Sequence, residues 1–393
     1  MDKNASRKGH SSWKENQLAV SIVCLVIFLA FMALFAVPMG LANMLNTMMN
    51  TAYRLLLDTS FFIMALAVLA GALSRLFSEF GVIELFNRIL SPLMRPLYGM
   101  PGAAALGIVT TFLSDNPAIL TLANDRGYRR YFKAYQVPAL TNLGTAFGMG
   151  LIVMSFNLGL SGKTPNVGLA VVCGGLGAVI GSIFSTRAML HFTAKALGKD
   201  TPACDDTAEV ESTAAAAGEK KDTGMIHVVN ALMAGGREGV TLGLAIIPGI
   251  LIICTIVMML TNTMPEGGYT GAAYEGIGLL PAIANKLRFI IDPLFGFSDP
   301  AAISVPVTAL GAAGAAVGLI PTLVGNGQAN ANDIAVFTAM CMCWSGYLCT
   351  HVSMMDVLGC SRFTGKAILC HTFGGLLAGA AAHWLFVLLS MLV

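Results

Sequence analysis

The stretch Phe112-Leu113-Ser114-Asp115-Asn116-Pro117-Ala118-Ile119 sets four polar or helix-breaking residues inside an otherwise apolar run of about 101–124. Asn-Pro is a strong turn signal, and proline removes a backbone donor. A second apolar stretch, about 300–326, is interrupted from Gly318 to Pro321. Backbone broken at membrane depth survives only where protein or a water-filled cavity surrounds it. Two re-entrant helical hairpins are therefore expected, with a single kinked span in each place as the alternative.

Composition places these stretches in a bilayer. Of the 393 residues, 56% are apolar, 11% charged and 8% aromatic, and the mean hydropathy is +0.74. A soluble domain carries about 25% charged residues, so this chain lacks the charge to cover a water-facing surface. A net charge of +2 supplies no basic field for a polyanion, which excludes a nucleic-acid partner. Forty-three glycines and twenty-two methionines suit close helix packing and a plastic interior. The nine cysteines lie mostly in apolar runs and read as small buried thiols.

A spanning helix needs about 20 apolar residues. Windows near 18–40, 57–78, 136–158, 167–187, 239–262, 332–355 and 368–391 meet that length. The first follows Lys3, Arg7, Lys8 and Lys14, but its apolar stretch exceeds a signal-peptide core and reads as a retained anchor. Amphipathic segments precede both hairpins, Val82–Leu90 and Ile283–Ile291, as helices lying in the interface plane would. With the N-terminus inside and seven crossings, nineteen Lys and Arg fall on the inner face. Only Arg54, Lys163, Lys286 and Arg288 fall outside. The positive-inside rule then makes the N-terminus cytoplasmic and the C-terminus external.

The two halves echo each other. Pro96 and Pro293, each just before a broken hairpin, lie 197 residues apart. The order span, surface helix, hairpin, span, span recurs in each half, with the surface helices on opposite faces. The expected fold is an all-α polytopic membrane protein of inverted repeats, each with an interfacial helix, a re-entrant hairpin and flanking transmembrane helices. The divisions are a tail at 1–17, an anchor and connection at 18–56, and a first repeat at 57–191. A cytoplasmic hydrophilic linker at 192–225 and a second repeat at 226–393 follow. Inverted repeats belong to secondary transporters, whose site lies between the repeats at the midplane.

Four stretches carry a family resemblance: Gly235-Gly236-Arg237-Glu238-Gly239-Val240-Thr241-Leu242-Gly243-Leu244, the Phe112–Ile119 stretch, Val137-Pro138-Ala139-Leu140-Thr141-Asn142-Leu143-Gly144-Thr145-Ala146, and Ala339-Met340-Cys341 through Ser353. In order and pattern they resemble the Gate (nucleoside-recognition) membrane proteins, relatives of the concentrative nucleoside transporters, over roughly residues 55–391. The resemblance implies a transporter of a small polar metabolite, with a nucleoside or nucleobase-like solute as the leading candidate. Such a protein works by alternating access and takes no cofactor beyond a coupling ion, Na⁺ or H⁺. The sequence departs from the nucleoside transporters in the second hairpin, where Gly311–Pro321 holds no acidic or amide side chain.

Candidate site residues follow from membrane depth and polarity. Asp115 and Asn116 sit at the first hairpin's break, and an intramembrane carboxylate is by default a functional candidate. Asp115 can bind substrate, couple an ion, or cap the second hairpin arm, and these roles are compatible. Thr141, Asn142 and Thr145 lie on a small-residue helix face that either lines a cavity or joins helices. Thr308, Ser345, Thr350, His351 and Ser353 form the polar set of the second half, and Trp344 either stacks an aromatic ring or packs in the core. Cys341 and Cys343, two apart on a helix, point different ways, and no metal site is assigned. His371 and His383 read as packing histidines. No enzyme signature occurs, so the chain reads as a non-enzyme of the inner or plasma membrane. Its partners are the bilayer and a small-molecule substrate, with homo-oligomerisation left open. The rival readings are a metal-ion permease of the ferrous-iron type and a non-transporting membrane scaffold.

The orientation has a direct check. In a cysteine-free background of intact cells, Val210→Cys should resist an impermeant thiol reagent, while a cysteine added after Val393 should react. The opposite labelling pattern inverts the topology.

Overall fold

A computed structural model describes residues 3–116, 118–124, 126–203 and 225–392. Most of the linker expected at 192–225, and Pro117 at the first hairpin's break, lie outside the described residues. Among those described, six helices are long and apolar enough to cross a membrane: Gln17–Met39, Leu41–Phe77, Val137–Gly162, Val167–Leu197, Met225–Thr261 and Ser361–Ser390. The chain is an all-α polytopic membrane protein.

The order opens with α1 (Lys3–Met39), α2 (Leu41–Arg54), α3 (Phe61–Glu79) and the surface helix α4 (Val82–Leu93). The first hairpin is α5 (Ala104–Leu113) and α6 (Ala118–Asn124), followed by the single turn α7 (Arg126–Arg129). A broken crossing of α8 (Val137–Thr145) and α9 (Gly150–Leu158) leads to the long α10 (Val167–Leu197). The second half runs α11 (Met225–Gly249), α12 (Thr255–Thr261), and the surface pair α13 (Leu279–Lys286) and α14 (Arg288–Phe295). Its hairpin is α15 (Ser304–Ala309) and α16 (Ala313–Gly325). The broken pair α17 (Ala331–Trp344) and α18 (Tyr347–Val357) precedes the last helix, α19 (Thr364–Ser390).

The 197-residue offset of the two prolines carries through the whole pattern. It takes α10 onto α19, α8 and α9 onto α17 and α18, and the hairpin α5–α6 onto α15–α16. The packing of α10 on α19 gives the relative direction of the repeats. A Cβ on Gly177 would collide with the carbonyl of Ala378, and one on Gly181 with that of Gly374. A Cβ on Gly374 would in turn meet Ser185. As α10 rises through 177, 181 and 185, its neighbour descends through 382, 378 and 374, so the equivalent helices are antiparallel. Gly177 and Gly374 are themselves 197 apart, as are Gly181 and Ala378. The contact is thus reciprocal, as an approximate two-fold axis requires, and the axis inverts the repeats. Small residues at every fourth position let the backbones meet where hydrophobicity alone gives no reason for helices to associate. The pair α3 and α11 uses the same device, with Gly71 on Gly235 and Gly239 on Ala67.

Three sequence expectations are corrected. Residues 332–355, read as one span, divide at Ser345 and Gly346, both in the left-handed region with φ 32° and φ 70°. The window 136–158 is also interrupted, between Thr145 and Gly150, with Met149 at φ 55°. The second hairpin turns at Leu310–Ala312, where Ala312 is extended at φ −159°, and not at Gly318–Pro321. Those residues lie within α16, because proline and glycine are tolerated in membrane helices whose neighbours satisfy the freed backbone.

Beyond the candidate span ending at Thr261, the loop after α12 folds onto the polar stripe of α2. Asn43 and Asn50 donate to the carbonyls of Tyr269 and Gly271 at 3.1 and 2.8 Å. Glu275, only 3% exposed, accepts from the Thr270 backbone at 3.0 Å, the Thr270 hydroxyl at 2.6 Å and the Gly271 backbone at 3.0 Å. Burial works to raise its carboxyl pKa, but the hydrogen bonds from Thr270, Gly271 and Ala272 outweigh burial and hold it below the ordinary value. A carboxyl lowered by folding stabilises the fold above its unfolded pKa, near 4.3, and loses that contribution as pH falls. Glu275→Ala should therefore cost about 2 kcal/mol at neutral pH, through donors left without an acceptor. Thermal unfolding in detergent should show the gap from wild type narrowing as pH falls below about 4.3; a gap independent of pH would contradict the ionised cap.

Candidate functional site

Four interruptions of helical backbone meet in the interior: the tips of both hairpins and the breaks of both divided crossings. Asn116, at the first tip, donates from Nδ2 to the carbonyl of Ser345 at 2.6 Å. The Gly346 amide donates to the carbonyl of Ala309 at 2.9 Å, and that of Leu348 reaches Leu310 at 3.4 Å. The break of α17–α18 thus takes up carbonyls that the end of α15 leaves unpaired, as helix termini require. Gly148, in the break of α8–α9, completes the junction: a Cβ there would overlap the Asn116 carboxamide and lie 2.8 Å from Ser345 Oγ. Gly148 and Ser345 are 197 residues apart, so equivalent positions of the two repeats face each other across Asn116.

Several polar atoms at the junction are buried and have no hydrogen-bond partner among the described residues: Asn116 Oδ1, Thr145 Oγ1, Ser345 Oγ and Trp344 Nε1. Leaving such groups bare costs on the order of 1–3 kcal/mol each. Asn116 Oδ1 and Ser345 Oγ both face Gly148, whereas Trp344 Nε1 faces Gly375 of α19; the amide acceptor and two hydroxyls suit a small polar solute. Trp344 stacks on Tyr347, with ring centroids 6.2 Å apart. Asp115 is half-buried, and its Oδ1 accepts the Asn116 backbone N–H at 2.7 Å. The carboxylate thus engages the tip itself and not the first-turn amides of α6.

The other expected site residues hold helices together. Thr141 donates to Pro138 O at 2.8 Å, and Thr308 to Ser304 O at 2.8 Å, each bonding its own helix. Asn142 Nδ2 donates to Ser185 Oγ at 2.9 Å and to Ala367 O at 3.0 Å. Ser185 in turn bonds His371 Nδ1 at 3.0 Å, and His371 Nε2 lies 2.5 Å from Cys343 O. A carbonyl can only accept, so Nε2 carries a proton. This chain ties α8, α10, α17 and α19 into one body. His383 bonds Asn332 at 2.7 Å. Beside His371, with ring centroids 4.7 Å apart, His351 is fully buried and neither ring nitrogen has a well-formed partner; the Tyr347 backbone one turn earlier is its nearest polar neighbour. Among the described residues no three His, Cys, Asp or Glu side chains converge as a metal site would require.

Sequence reasoning missed Gly148, Ala309 and Gly346. Their role is backbone proximity, and the available signal was the repeat offset, which carries the Asp115–Pro117 break to 312–314, beside the observed turn.

The fold and junction define an inverted-repeat membrane protein with discontinuous helices meeting at its centre. Among solved structures the chain is similar to CNTnw, a concentrative nucleoside transporter, in several conformations. A doubly substituted CNTnw in an outward-facing state aligns over 98% of this chain and 87% of that chain, with a TM-score of 0.54 and 15% identity. The inward-facing, substrate-bound CNTnw aligns over 83% and 75%, with a TM-score of 0.52 and 16% identity. An intermediate state aligns over 99% and 88%, at 0.51 and 14%. At these identities the likeness establishes a shared fold. No family model matches the chain, and no curated protein matches it in sequence.

Gly148→Ala should lower the thermal unfolding midpoint, since overpacking costs about 1–3 kcal/mol. Because the collision is with the Asn116 carboxamide, Asn116→Ala in the same chain should recover part of the loss. Strict additivity of the two substitutions would place the strain elsewhere.

Proposed function

We propose that the protein is a secondary transporter of a small polar metabolite, a nucleoside or nucleobase-like solute first among candidates. It works by alternating access and is driven by Na⁺ or H⁺. One observation carries this reading. Broken helices of two inverted repeats meet where Asn116, Thr145 and Ser345 present polar atoms without partners among the described residues. Discontinuous helices at the interface of inverted repeats are the usual construction of a transporter's substrate site. The similarity in fold to CNTnw captured in outward-facing, inward-facing and intermediate states supports the same reading. The narrower assignment to the Gate proteins, the cytoplasmic N-terminus and the external C-terminus belong to this proposal.

In this reading the solute's hydroxyl or amine groups meet Asn116 Oδ1, Thr145 and Ser345, while Trp344 offers a ring face to a base. Asp115 couples the ion: its carboxylate is bound by one backbone N–H, leaving lone pairs for a cation or proton. Thr141, Asn142 and Thr308 hold the walls. The ferrous-iron reading has no converging ligand set among the described residues to rest on.

Uptake of radiolabelled nucleosides and nucleobases into proteoliposomes, with a Na⁺ or H⁺ gradient imposed, tests the proposal. Accumulation should occur under one gradient and fail without it; no accumulation of any of these solutes under either gradient would overturn the reading. Asp115→Asn keeps the volume and the hydrogen-bond acceptor while removing the charge. It should leave expression and thermal stability near wild type and abolish gradient-driven accumulation. Wild-type accumulation by that variant would remove Asp115 from coupling.

A further inference from the structure

At one end of α10, Arg187, His191 and Lys195 follow at intervals of four residues, and Lys199 comes just past the helix. That interval stacks side chains on one helix face. All four line a single cavity of about 450 Å³ with Tyr98 and Tyr135. Arg187, Lys195 and Lys199 gather three positive charges around one cavity, which calls for a counter-anion. The chain supplies none among the described residues. The ion pairs there are Arg54–Asp58, Arg75–Glu79, His227–Glu79 and Arg288–Asp292. Arg187 is fixed in place, its Nε donating to Leu97 O at 2.5 Å and its Nη2 to Pro96 O. Its Nη1 has no protein partner among the described residues.

Tyr98 also lines a second cavity, of about 350 Å³, whose wall comes from Leu90, Leu93 and Leu97 on the surface-helix side and from Phe112, Leu151 and Met154 opposite. The accessible surface of this cavity is entirely apolar, and Leu93 and Leu97 are partly open to the surroundings. The Tyr98 hydroxyl bonds Ser182 at 2.8 Å, and Tyr98 lines both the cationic chamber and the apolar one. A polar solute has no use for the second chamber, and a neutral lipid has no use for the first.

We propose that the two chambers together are a binding site for an anionic phospholipid. The phosphate of its headgroup lies among Arg187, Lys195 and Lys199, and an acyl chain lies along the groove beside the surface helix. Basic pockets between transmembrane helices take anionic headgroups, and the positive-inside rule puts this end of α10 in the cytoplasmic leaflet. The proposal is independent of the transport reading. A free phosphate would satisfy the basic chamber alone, and so would the acidic residues of the 204–224 segment. The apolar chamber sharing its wall is what favours a lipid.

The test uses the full chain, purified in detergent, with native mass spectrometry and thermal unfolding as readouts. The probes are dioleoyl phosphatidylglycerol, dioleoyl phosphatidylcholine and glycerol 3-phosphate. Phosphatidylglycerol should bind roughly tenfold more tightly than phosphatidylcholine and raise the unfolding midpoint, and glycerol 3-phosphate should do neither. Lys195→Gln combined with Lys199→Gln removes two exposed charges that hold nothing in the protein. It should leave the lipid-free midpoint unchanged and bring the preference close to unity. Equal binding of the two lipids by the wild type, or an undiminished preference in the variant, overturns the proposal. Equal stabilisation by glycerol 3-phosphate overturns it in favour of a soluble-phosphate site.

Discussion

A membrane interior offers no water to an unpaired backbone group, and each such group left bare in hydrocarbon costs several kcal/mol. A chain that breaks its helices four times within this environment must bring the breaks to partners. Here the breaks serve one another. The amides at Gly346 and Leu348 take the last carbonyls of α15, the Asn116 side chain takes the carbonyl of Ser345, and Gly148 leaves room for that side chain. Local turn bonds, such as Gly148 N–H to Thr145 O and Ala312 N–H to Thr308 O, close part of each break, and the bonds across the junction supply the rest. The junction is where the two halves of the chain need each other.

The repeats share a backbone plan but differ in chemistry. At equivalent offsets, Asp115-Asn116 in the first tip is answered by Ala312-Ala313 in the second, and Gly148 in one broken crossing by Ser345 in the other. The pseudo-symmetry therefore supplies the geometry while single positions supply the polarity. The interface of α10 with α19 shows the same division. Gly177, Gly181, Gly374 and Ala378 repeat the close approach, while Ser185, facing Ala382 in the offset, alone carries a hydroxyl and joins the His371 chain.

Much of this was legible in the sequence, and the misses have physical causes. Hydropathy finds a helix that faces lipid along its length, and it found α1, α3, α10, α11 and α19. It is blind to a break within an apolar run, because leaving the helical path at Ser345-Gly346 needs no change in hydrophobicity. It requires only a partner elsewhere for the freed carbonyl. The same reasoning misplaced the second hairpin's turn: Gly318 and Pro321 are stronger local breakers than Gly311-Ala312, yet it is just before the latter that the carbonyls of Ala309 and Leu310 meet amides of the α17–α18 break. The spacing of Pro96 and Pro293 held the missing information, since projecting the Asp115–Pro117 break by the same interval lands beside the observed turn. Among the site residues, Asp115 and Asn116 were marked by the expense of polarity at membrane depth. Asn142, equally polar, turned out to be spent on Ser185 and Ala367. Polarity alone does not say which neighbour will use it.

The distribution of these contacts divides the molecule into a stiff part and a part held by few bonds. The faces of α10 and α19 meet backbone to backbone, with no space for even a methyl group, and the line from Asn142 through Ser185 to His371 and Cys343 O fastens α8 and α17 to them. A sliding motion there would collide at once with carbonyl oxygens and strand a buried imidazole. The first hairpin packs on the other broken crossing through Ile119 against Gly144 and Phe112 against Gly150, and among the described residues its tip is tied to Ser345 O by one side-chain hydrogen bond, from Asn116. If the repeats exchange access between two faces, parting that tip from Ser345 uncovers Asn116 Oδ1 and Ser345 Oγ, atoms without partners among the described residues. The bond that closes the junction and the groups that would greet a solute are therefore parts of the same two residues.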